Sequence, residues 1–181
     1  MPRPRIMVTR GDALSSRAIE GYGGGWPSHM ANLLADGSVW DARSDVINFG
    51  GVKYPAGVQH RPAGYLEAEN AKWAIFEAPP GSERVYPYWV ELLQSQEHKP
   101  YDHAGIIAFG VGVFTGKFQD QNYADDKSTA WFCDEYSIWA AGKPGLIPWP
   151  LPLKISRQTP GAGLNLFIGA RWRLTAAKGW E

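Results

Sequence analysis

Apolar side chains recur at helical spacing in a short stretch near residue 135 and alternate with polar ones in several earlier segments. The predicted helix carries four apolar side chains on one face: Phe132, Tyr136, Trp139 and Ala140. Ser128 or Thr129 can cap its N-terminus, and the glycine and proline residues that begin at Gly142 end it. The only cysteine of the sequence, Cys133, therefore lies at the predicted start of a helix, beside its apolar face.

Other segments predict short strands and one more helix. Residues 5–9 and 72–77 have the pattern of strands. Residues 88–95 predict an amphipathic helix with three side chains inward: Trp89, Leu92 and Leu93. Glycine and proline interrupt residues 43–70, which are interpreted as rich in loops.

Length and composition indicate one compact domain. The chain has 181 residues, 44% of them hydrophobic, and its 21 glycines and 14 prolines indicate many turns between short elements. Its 18 basic and 18 acidic residues cancel, so we expect no nucleic-acid partner. No uncharged apolar run reaches about 18 residues and no signal peptide is recognised, so we expect no membrane span and a location in the cytoplasm or in a phage particle. The oligomeric state is left open.

Cys133 is the first candidate for chemistry. The unpaired N–H groups and the positive dipole end of a helix N-terminus favour a thiolate, and a neighbouring imidazolium would favour it further. Because a thiolate attacks carbonyl carbon, this placement suits nucleophilic catalysis. The alternative is a buried cysteine that acts as a small hydrophobic residue.

His29 is the second candidate, because it opens the first strand of a hairpin predicted from residues 28–34 and 38–42, with Asp41 on the returning strand. With a two-residue turn, Asp36-Gly37, Asp41 points to the face opposite His29. With a three-residue loop, Ala35 to Gly37, the two side chains share a face. The carboxylate can then bind one imidazole nitrogen and leave the other to accept the thiol proton. Otherwise His29 is a capping or surface residue and Asp41 a solvated one.

The remaining histidines give no metal-binding motif. His60, His98 and His103 show neither a His-Glu-x-x-His arrangement nor paired ligand spacing. We therefore expect neither a metal nor another cofactor.

Six short motifs together match one family. In chain order they are Trp26-Pro27-Ser28-His29, Asp36-Gly37, Val39-Trp40-Asp41-Ala42, Gly57-Val58, Lys99-Pro100-Tyr101-Asp102 and Trp131-Phe132-Cys133-Asp134-Glu135. They resemble the circularly permuted NlpC-type papain-like cysteine peptidases and amidases of YiiX-like type, in which the histidine precedes the cysteine. The resemblance spans residues 6–142, and its most specific parts are the Ser-His strand and the Trp-Phe-Cys-x-Glu helix start.

The resemblance implies a fold and a domain organisation. The expected fold is α+β and papain-like, an antiparallel sheet or small barrel packed against helices that include the cysteine helix. Residues 1–181 would form one domain, in which residues 146–181 are a variable C-terminal extension.

The resemblance also implies roles for individual residues. Cys133 would be the nucleophile, His29 its base and Asp41 the residue that orients the base, while Tyr101 would line the catalytic pocket. Three neighbouring side chains would contact the substrate: Trp26, Ser28 and Trp131. One departure is Asp134, where the family usually has serine, because a carboxylate there opposes ionisation of the thiol unless it points to solvent or serves the helix dipole.

The implied function is a bacterial or phage cysteine hydrolase that cleaves an amide bond, such as one in a peptidoglycan stem peptide. Its substrate would be peptide-like or a small acyl compound. One alternative is an esterase or acyltransferase of the same superfamily. Another is a catalytically inactive module that binds a peptide or a glycan through some of the nine tryptophans and eight tyrosines.

Overall fold

The computed structural model describes residues 1–10, 27–70, 72–103, 130–148 and 160–179. In chain order its elements are β1 (Arg5–Arg10), β2 (His29–Leu33), β3 (Val39–Arg43), β4 (Ile47–Phe49), β5 (Val52–Tyr54), β6 (Gly57–Arg61), α1 (Tyr65–Glu69), β7 (Lys72–Glu77), a short 3-10 helix (Ser82–Val85), α2 (Tyr86–Gln94), α3 (Cys133–Gly142), α4 (Pro160–Gly169) and β8 (Arg173–Lys178).

These elements form a mixed α+β fold, as predicted. Six strands make one antiparallel sheet in the order β6-β3-β2-β1-β7-β8, and β4 and β5 form a separate hairpin. The strands predicted at residues 5–9 and 72–77 are β1 and β7, and the helix predicted at 88–95 is α2. Within the described ranges, no helix is long and apolar enough to cross a membrane.

Both faces of the sheet are covered at its centre. Three successive residues of β1, Ile6, Met7 and Val8, are all buried, although neighbouring side chains on a strand point to opposite faces. Ile6 and Val8 belong to a core that includes residues of α3 and α4. Met7 belongs to a second core with residues of α1. The sheet is therefore a buried middle layer, with β1 and β2 next to each other at its centre.

The cysteine helix α3 lies inside the molecule. All ten of its residues are buried, whereas the sequence predicted only one apolar face. The reason is that β2 and β3, α2 and α4 pack on different sides of it. Its N-cap is Phe132 rather than Ser128 or Thr129, both of which lie outside the described residues. The Glu135 side chain accepts a hydrogen bond from the Phe132 N–H at 3.4 Å and so satisfies one N–H of the helix start.

Residues 43–70 are more regular than the sequence predicted. They contain β4, β5, β6 and α1, and β6 pairs with β3 from Gly57 to Arg61. Gly50 and Gly51, which interrupt the sequence pattern, form the β4–β5 turn with φ of 59° and 78°. Strands of three to five residues are too short to show clear alternation, which is why the pattern indicated loops.

The C-terminal elements complete the sheet. Strand β8 pairs with β7, and α4 packs against α3. Helix α4 ends in a Schellman motif, in which the Trp172 N–H bonds to the Phe167 carbonyl at 3.0 Å and the Arg171 N–H bonds to the Ile168 carbonyl at 2.9 Å. Arg171 has φ 66°, as the motif requires. Residues 160–179, expected to belong to a variable extension, thus supply an edge strand and a packing helix.

Candidate active site

The β2–β3 hairpin has the three-residue loop that brings His29 and Asp41 to one face. Asn32 pairs with Trp40 across the two strands. The Leu34 N–H bonds to the Ser38 carbonyl at 2.8 Å, and Gly37 has φ 85°. A glycine with positive φ at the end of a three-residue loop is the bulged form of hairpin. Of the two registers that the sequence left open, this is the one in which His29 and Asp41 lie on the same face.

His29 and Asp41 are in direct contact. His29 Nε2 lies 2.9 Å from Asp41 Oδ2. The imidazole is 17% exposed and the carboxylate is completely buried. Because a carboxylate accepts hydrogen bonds, Nε2 carries the proton in the neutral ring and Nδ1 is left as the acceptor.

Two further side chains bind the Asp41 carboxylate. The Arg61 guanidinium from β6 binds Oδ1, and the Tyr65 hydroxyl from α1 binds Oδ2. Arg61 also donates to the Asp41 backbone carbonyl at 3.2 Å and to the Pro55 carbonyl at 3.2 Å. Burial raises the pKa of Tyr65 to about 12, so its hydroxyl remains a donor at neutral pH. Asp41 is therefore held on both oxygens, with His29 as one of three partners.

Cys133 lies next to the start of β2. Its sulfur accepts a hydrogen bond from the backbone of Met30, the residue that follows His29. Strands β2 and β3 pair at Asn32 and Leu33, near the loop of the hairpin. Met30 comes earlier in β2, so its N–H lies towards the end of the hairpin away from the loop. Met30 packs with residues of α3 on one face of the sheet. Because neighbouring side chains on a strand point to opposite faces, the His29 side chain starts from the other face.

A buried polar contact fixes the position of α3 on β2. Asn32 Nδ2 donates to Ser137 Oγ at 3.2 Å, and Ser137 Oγ donates to the Cys133 carbonyl at 3.1 Å. Asn32 also donates to the Trp40 carbonyl on β3 at 3.2 Å. These bonds tie the first turn of the cysteine helix to both strands that carry His29 and Asp41.

The surroundings of Cys133 favour the thiol rather than the thiolate. The side chain is 5% exposed, and burial, followed by the neighbouring Asp134, raises its pKa to about 12. The hydrogen bond from the Met30 N–H acts in the opposite direction. The expectation that the helix start alone would favour a thiolate is therefore not met, because desolvation outweighs it.

Asp134 and Glu135 are buried acids at the start of α3. Asp134 does not point to solvent, and burial raises its pKa to about 7. Burial, followed by Asp134, raises the pKa of Glu135 to about 9. Asp134 Oδ2 and Glu135 Oε1 are buried atoms with no hydrogen-bond partner among the described residues. Both groups are thus more easily protonated than ordinary carboxylates, which lessens their repulsion of the sulfur near neutral pH.

The surroundings of His29 favour the neutral ring. Burial, followed by the Arg43 and Arg61 guanidinium groups, lowers the pKa of His29 to about 3. The Asp41 carboxylate, in contact with Nε2, acts in the opposite direction. In the resting protein His29 is therefore a neutral imidazole and Cys133 a neutral thiol, rather than an imidazolium and a thiolate.

Tyr101 lies near the start of α3. It forms an isolated parallel bridge with Trp131, and its ring lies 5.9 Å from that of Phe132. Burial, followed by the Cys133 sulfur, raises the pKa of Tyr101 well above its usual value. Its hydroxyl is therefore a protonated donor near the Cys133 thiol.

Two of the three residues expected to contact substrate are buried. Trp131 is completely buried, where its Nε1 donates to Gln96 Oε1 at 3.1 Å and its ring packs on Trp139. Ser28 is also buried, with its Oγ 3.4 Å from the Thr9 carbonyl on β1. Both side chains pack in the interior and present no surface to a ligand. Trp26 lies outside the described residues.

Sequence reasoning missed Arg61 and Tyr65. Arg61 falls on the same face of β6 as Gln59, which pairs with Asp41, so a strand assignment for residues 57–61 would have placed it beside the carboxylate. That signal was hidden because residues 43–70 were interpreted as loops. Nothing in the sequence pattern indicates that Tyr65 reaches the same group.

The fold has a structural relative. No family model matches the chain, and no curated protein matches its sequence. The crystal structure of the metalloprotein YiiX (DUF1105) from Escherichia coli O157:H7 is similar, with a TM-score of 0.64 at 12% identity over 99% of this chain and 98% of that one. At this identity the likeness shows the fold alone, and the protein has a YiiX-like fold.

Proposed function

We propose that the protein is a cysteine hydrolase of the permuted papain-like type, with Cys133 as nucleophile, His29 as base and Asp41 as the residue that orients the base. The observation that carries the proposal is the partly buried hydrogen bond between His29 and Asp41, with His29 next in the chain to Met30, whose backbone binds the Cys133 sulfur. A histidine held by a carboxylate beside a thiol is the arrangement that nucleophilic catalysis requires.

The mechanism is acyl transfer through a thioester. The Cys133 sulfur attacks the carbonyl carbon of an amide or ester while its proton passes to His29 Nδ1. The carbon–nitrogen or carbon–oxygen bond then breaks, and His29 returns the proton to the leaving group. Water, deprotonated by His29, attacks the thioester and releases the acid and the thiol.

Two donors are available for the negative oxygen of the intermediate. One is the Cys133 backbone N–H, which has no partner within its own helix because it is at the first position. The other is the Tyr101 hydroxyl, which is protonated and near the sulfur. Loss of one such donor typically costs about 3 kcal/mol of barrier.

The neutral resting pair is compatible with this mechanism. A neutral imidazole can accept the proton during the attack itself, as in serine hydrolases, so no thiolate has to exist beforehand. The imidazolium that forms would be stabilised by Asp41.

The YiiX relative is described as a metalloprotein. The residues that this structure describes contain no group of three or more His, Cys, Asp or Glu side chains placed to hold a metal ion. The chain therefore offers no ligand set of that kind in its described part, and no step of the proposed mechanism uses a metal.

The substrate class follows from the resemblance of the motifs. We expect a peptide-like amide, with a peptidoglycan stem peptide as the first example to test, and small acyl esters as the alternative. The same three residues would serve an esterase or an acyltransferase, which differ in the group that accepts the acyl chain.

A second candidate function is a binding module without catalysis. The observation that favours it is the electrostatics of the pair, since the pKa of the thiol is raised and that of the imidazole is lowered. Such a module would bind a peptide or glycan with the same affinity when Cys133 is replaced by serine, and would not turn it over.

Site variants test the proposal with p-nitrophenyl acetate and a panel of stem-peptide amides. Cys133→Ser and His29→Ala should each abolish turnover, and the double variant should lose little more, because the two groups act as a unit. Asp41→Asn should lower turnover less than either, because nucleophile and base remain. Circular dichroism controls for folding, and full activity in folded Cys133→Ser would exclude the mechanism.

A further inference from the structure

We propose that Arg61 and Tyr65 are positioning residues of this site: they hold the Asp41 carboxylate on both of its oxygens, and so fix the orientation of the imidazole for proton transfer. The inference rests on the proposed function for the identity of the proton donor, Cys133. The effect of Arg61 and Tyr65 on Asp41 and His29 can be measured without an assay of turnover.

The geometry divides the two oxygens of Asp41 between different partners. Arg61 takes Oδ1, while His29 and Tyr65 share Oδ2. The carboxylate and the guanidinium are both completely buried, so water does not compete for these bonds. The Arg61 guanidinium also lies 5.8 Å from the centre of the Tyr65 ring, which packs the two partners against each other. Asp41 therefore has one orientation, and the imidazole follows it.

The bond between Arg61 and Asp41 affects proton transfer as well as packing, because both groups are charged and lie close to the imidazole. A lone buried carboxylate in contact with an imidazole favours the imidazolium, which cannot accept a proton. A buried guanidinium on the same carboxylate offsets that preference. Arg61 is the cation placed to do so.

Other charged groups around His29 are already engaged. Arg43 from β3 also faces the imidazole, but its guanidinium binds Asp45 at 2.8 and 2.9 Å and Glu69 of α1 at 2.8 Å. The groups that face His29 thus come from β3, the turn after it, β6 and α1: Asp41, Arg43, Asp45, Arg61, Tyr65 and Glu69. Among them, Arg61 and Tyr65 are the two that bind the histidine's own carboxylate.

The test compares variants at Arg61 and Tyr65 with matched changes at an arginine and a tyrosine that bind the backbone at the loop end of the β2–β3 hairpin. Arg61→Met removes the charge at similar length and Arg61→Lys keeps it, while Tyr65→Phe removes only the hydroxyl. The controls are Arg5→Met, whose guanidinium binds the Leu34 carbonyl, and Tyr86→Phe, whose hydroxyl accepts from the Ala35 N–H at 3.0 Å. Both controls alter contacts near the loop, far from His29 along β2.

The readout is the pKa of His29, followed by NMR through its ring Hε1 signal and assigned with His29→Gln. Arg61→Met should raise this pKa by at least about one unit, because the carboxylate is left uncompensated beside the ring. Arg61→Lys should remain near wild type, and Tyr65→Phe should shift the pKa upward by less than Arg61→Met. The two controls should leave it unchanged.

An unchanged His29 pKa in folded Arg61→Met, or an equal shift in Arg5→Met, would overturn the inference. If Arg61→Met does not fold, Tyr65→Phe decides alone, and a wild-type His29 pKa there would overturn it. These results are independent of the proposed function, which fails if folded Cys133→Ser retains turnover whatever the NMR titration shows.

Discussion

Glu135 shows at the scale of a single residue how burial makes the stability of this protein depend on pH. Its pKa is raised to about 9 in the folded chain, against the usual carboxylate value near 4.3 in an unfolded one. Between these values the folded state holds a proton that the unfolded state has lost. The contribution of Glu135 to the free energy of unfolding is therefore fully present below its pKa in the unfolded chain. It is lost as pH rises towards its pKa in the folded chain.

Glu135→Gln should remove this loss. Relative to wild type, the variant should gain free energy of unfolding as pH rises from about 4.5 to about 9, by up to about 1.4 kcal/mol for each pH unit. Urea denaturation at a series of pH values measures it, with Glu91→Gln on the exposed side of α2 as the control. If the free energies of unfolding of Glu135→Gln and wild type differ by a constant amount across this pH range, Glu135 is ionised in the folded protein.

The pairing of His29 with Asp41 could be reached from the sequence, because it depends only on loop length and strand parity. The ionisation state of Cys133 could not be predicted from the sequence. Its pKa depends on how completely α3 is enclosed, and that enclosure comes from α2, α4 and the sheet, which are distant in sequence. The single cysteine and the helix start were identified, but the sign of the thiol's pKa shift was not.

At the scale of elements, Gly57 fixes the distance between β6 and the segment that carries Tyr101. The Val58 N–H donates to the Lys99 carbonyl at 2.8 Å. A Cβ on Gly57 would lie 2.5 Å from that carbonyl oxygen, and Gly57 has φ 100°. Only a glycine permits this close approach.

Gly57→Ala should therefore destabilise the protein more than an alanine at another glycine of positive φ. Gly51 in the β4–β5 turn has φ 78°, and a Cβ added there would meet no described atom within 4 Å, so Gly51→Ala measures backbone strain alone. We expect about 1 kcal/mol for Gly51→Ala and at least about twice that for Gly57→Ala. Equal losses in urea denaturation would show that the close contact carries no energy.

The elements that the sequence predicted well are those with a long pattern or a turn signal: β1, β7, α2, the β2–β3 hairpin and the body of α3. The short strands β4 to β6 were missed because three to five residues show little periodicity. Their pairing is set by neighbours across the sheet, such as β3 for β6, which a local pattern does not contain.

At the scale of the whole molecule, the candidate site lies where three parts of the chain meet. The β2–β3 hairpin supplies His29 and Asp41, α3 supplies Cys133, and β6 with α1 supplies the side chains behind Asp41. The sheet is completed by β8, and α3 is covered by α4, so the C-terminal elements support the site from a distance. The central claim of this account is that these parts make Cys133 a nucleophile through His29.

Acetylation of Cys133 by p-nitrophenyl acetate tests that claim most directly. Because the sequence has one cysteine, the intact mass of the acid-quenched protein, together with release of the acetyl group by hydroxylamine, follows the thioester at this residue alone. Wild type should acetylate at least about 100-fold faster than His29→Ala at about pH 7, the effect typical of a general base. Equal rates in wild type and folded His29→Ala would contradict the account, since Cys133 would then react as an ordinary thiol.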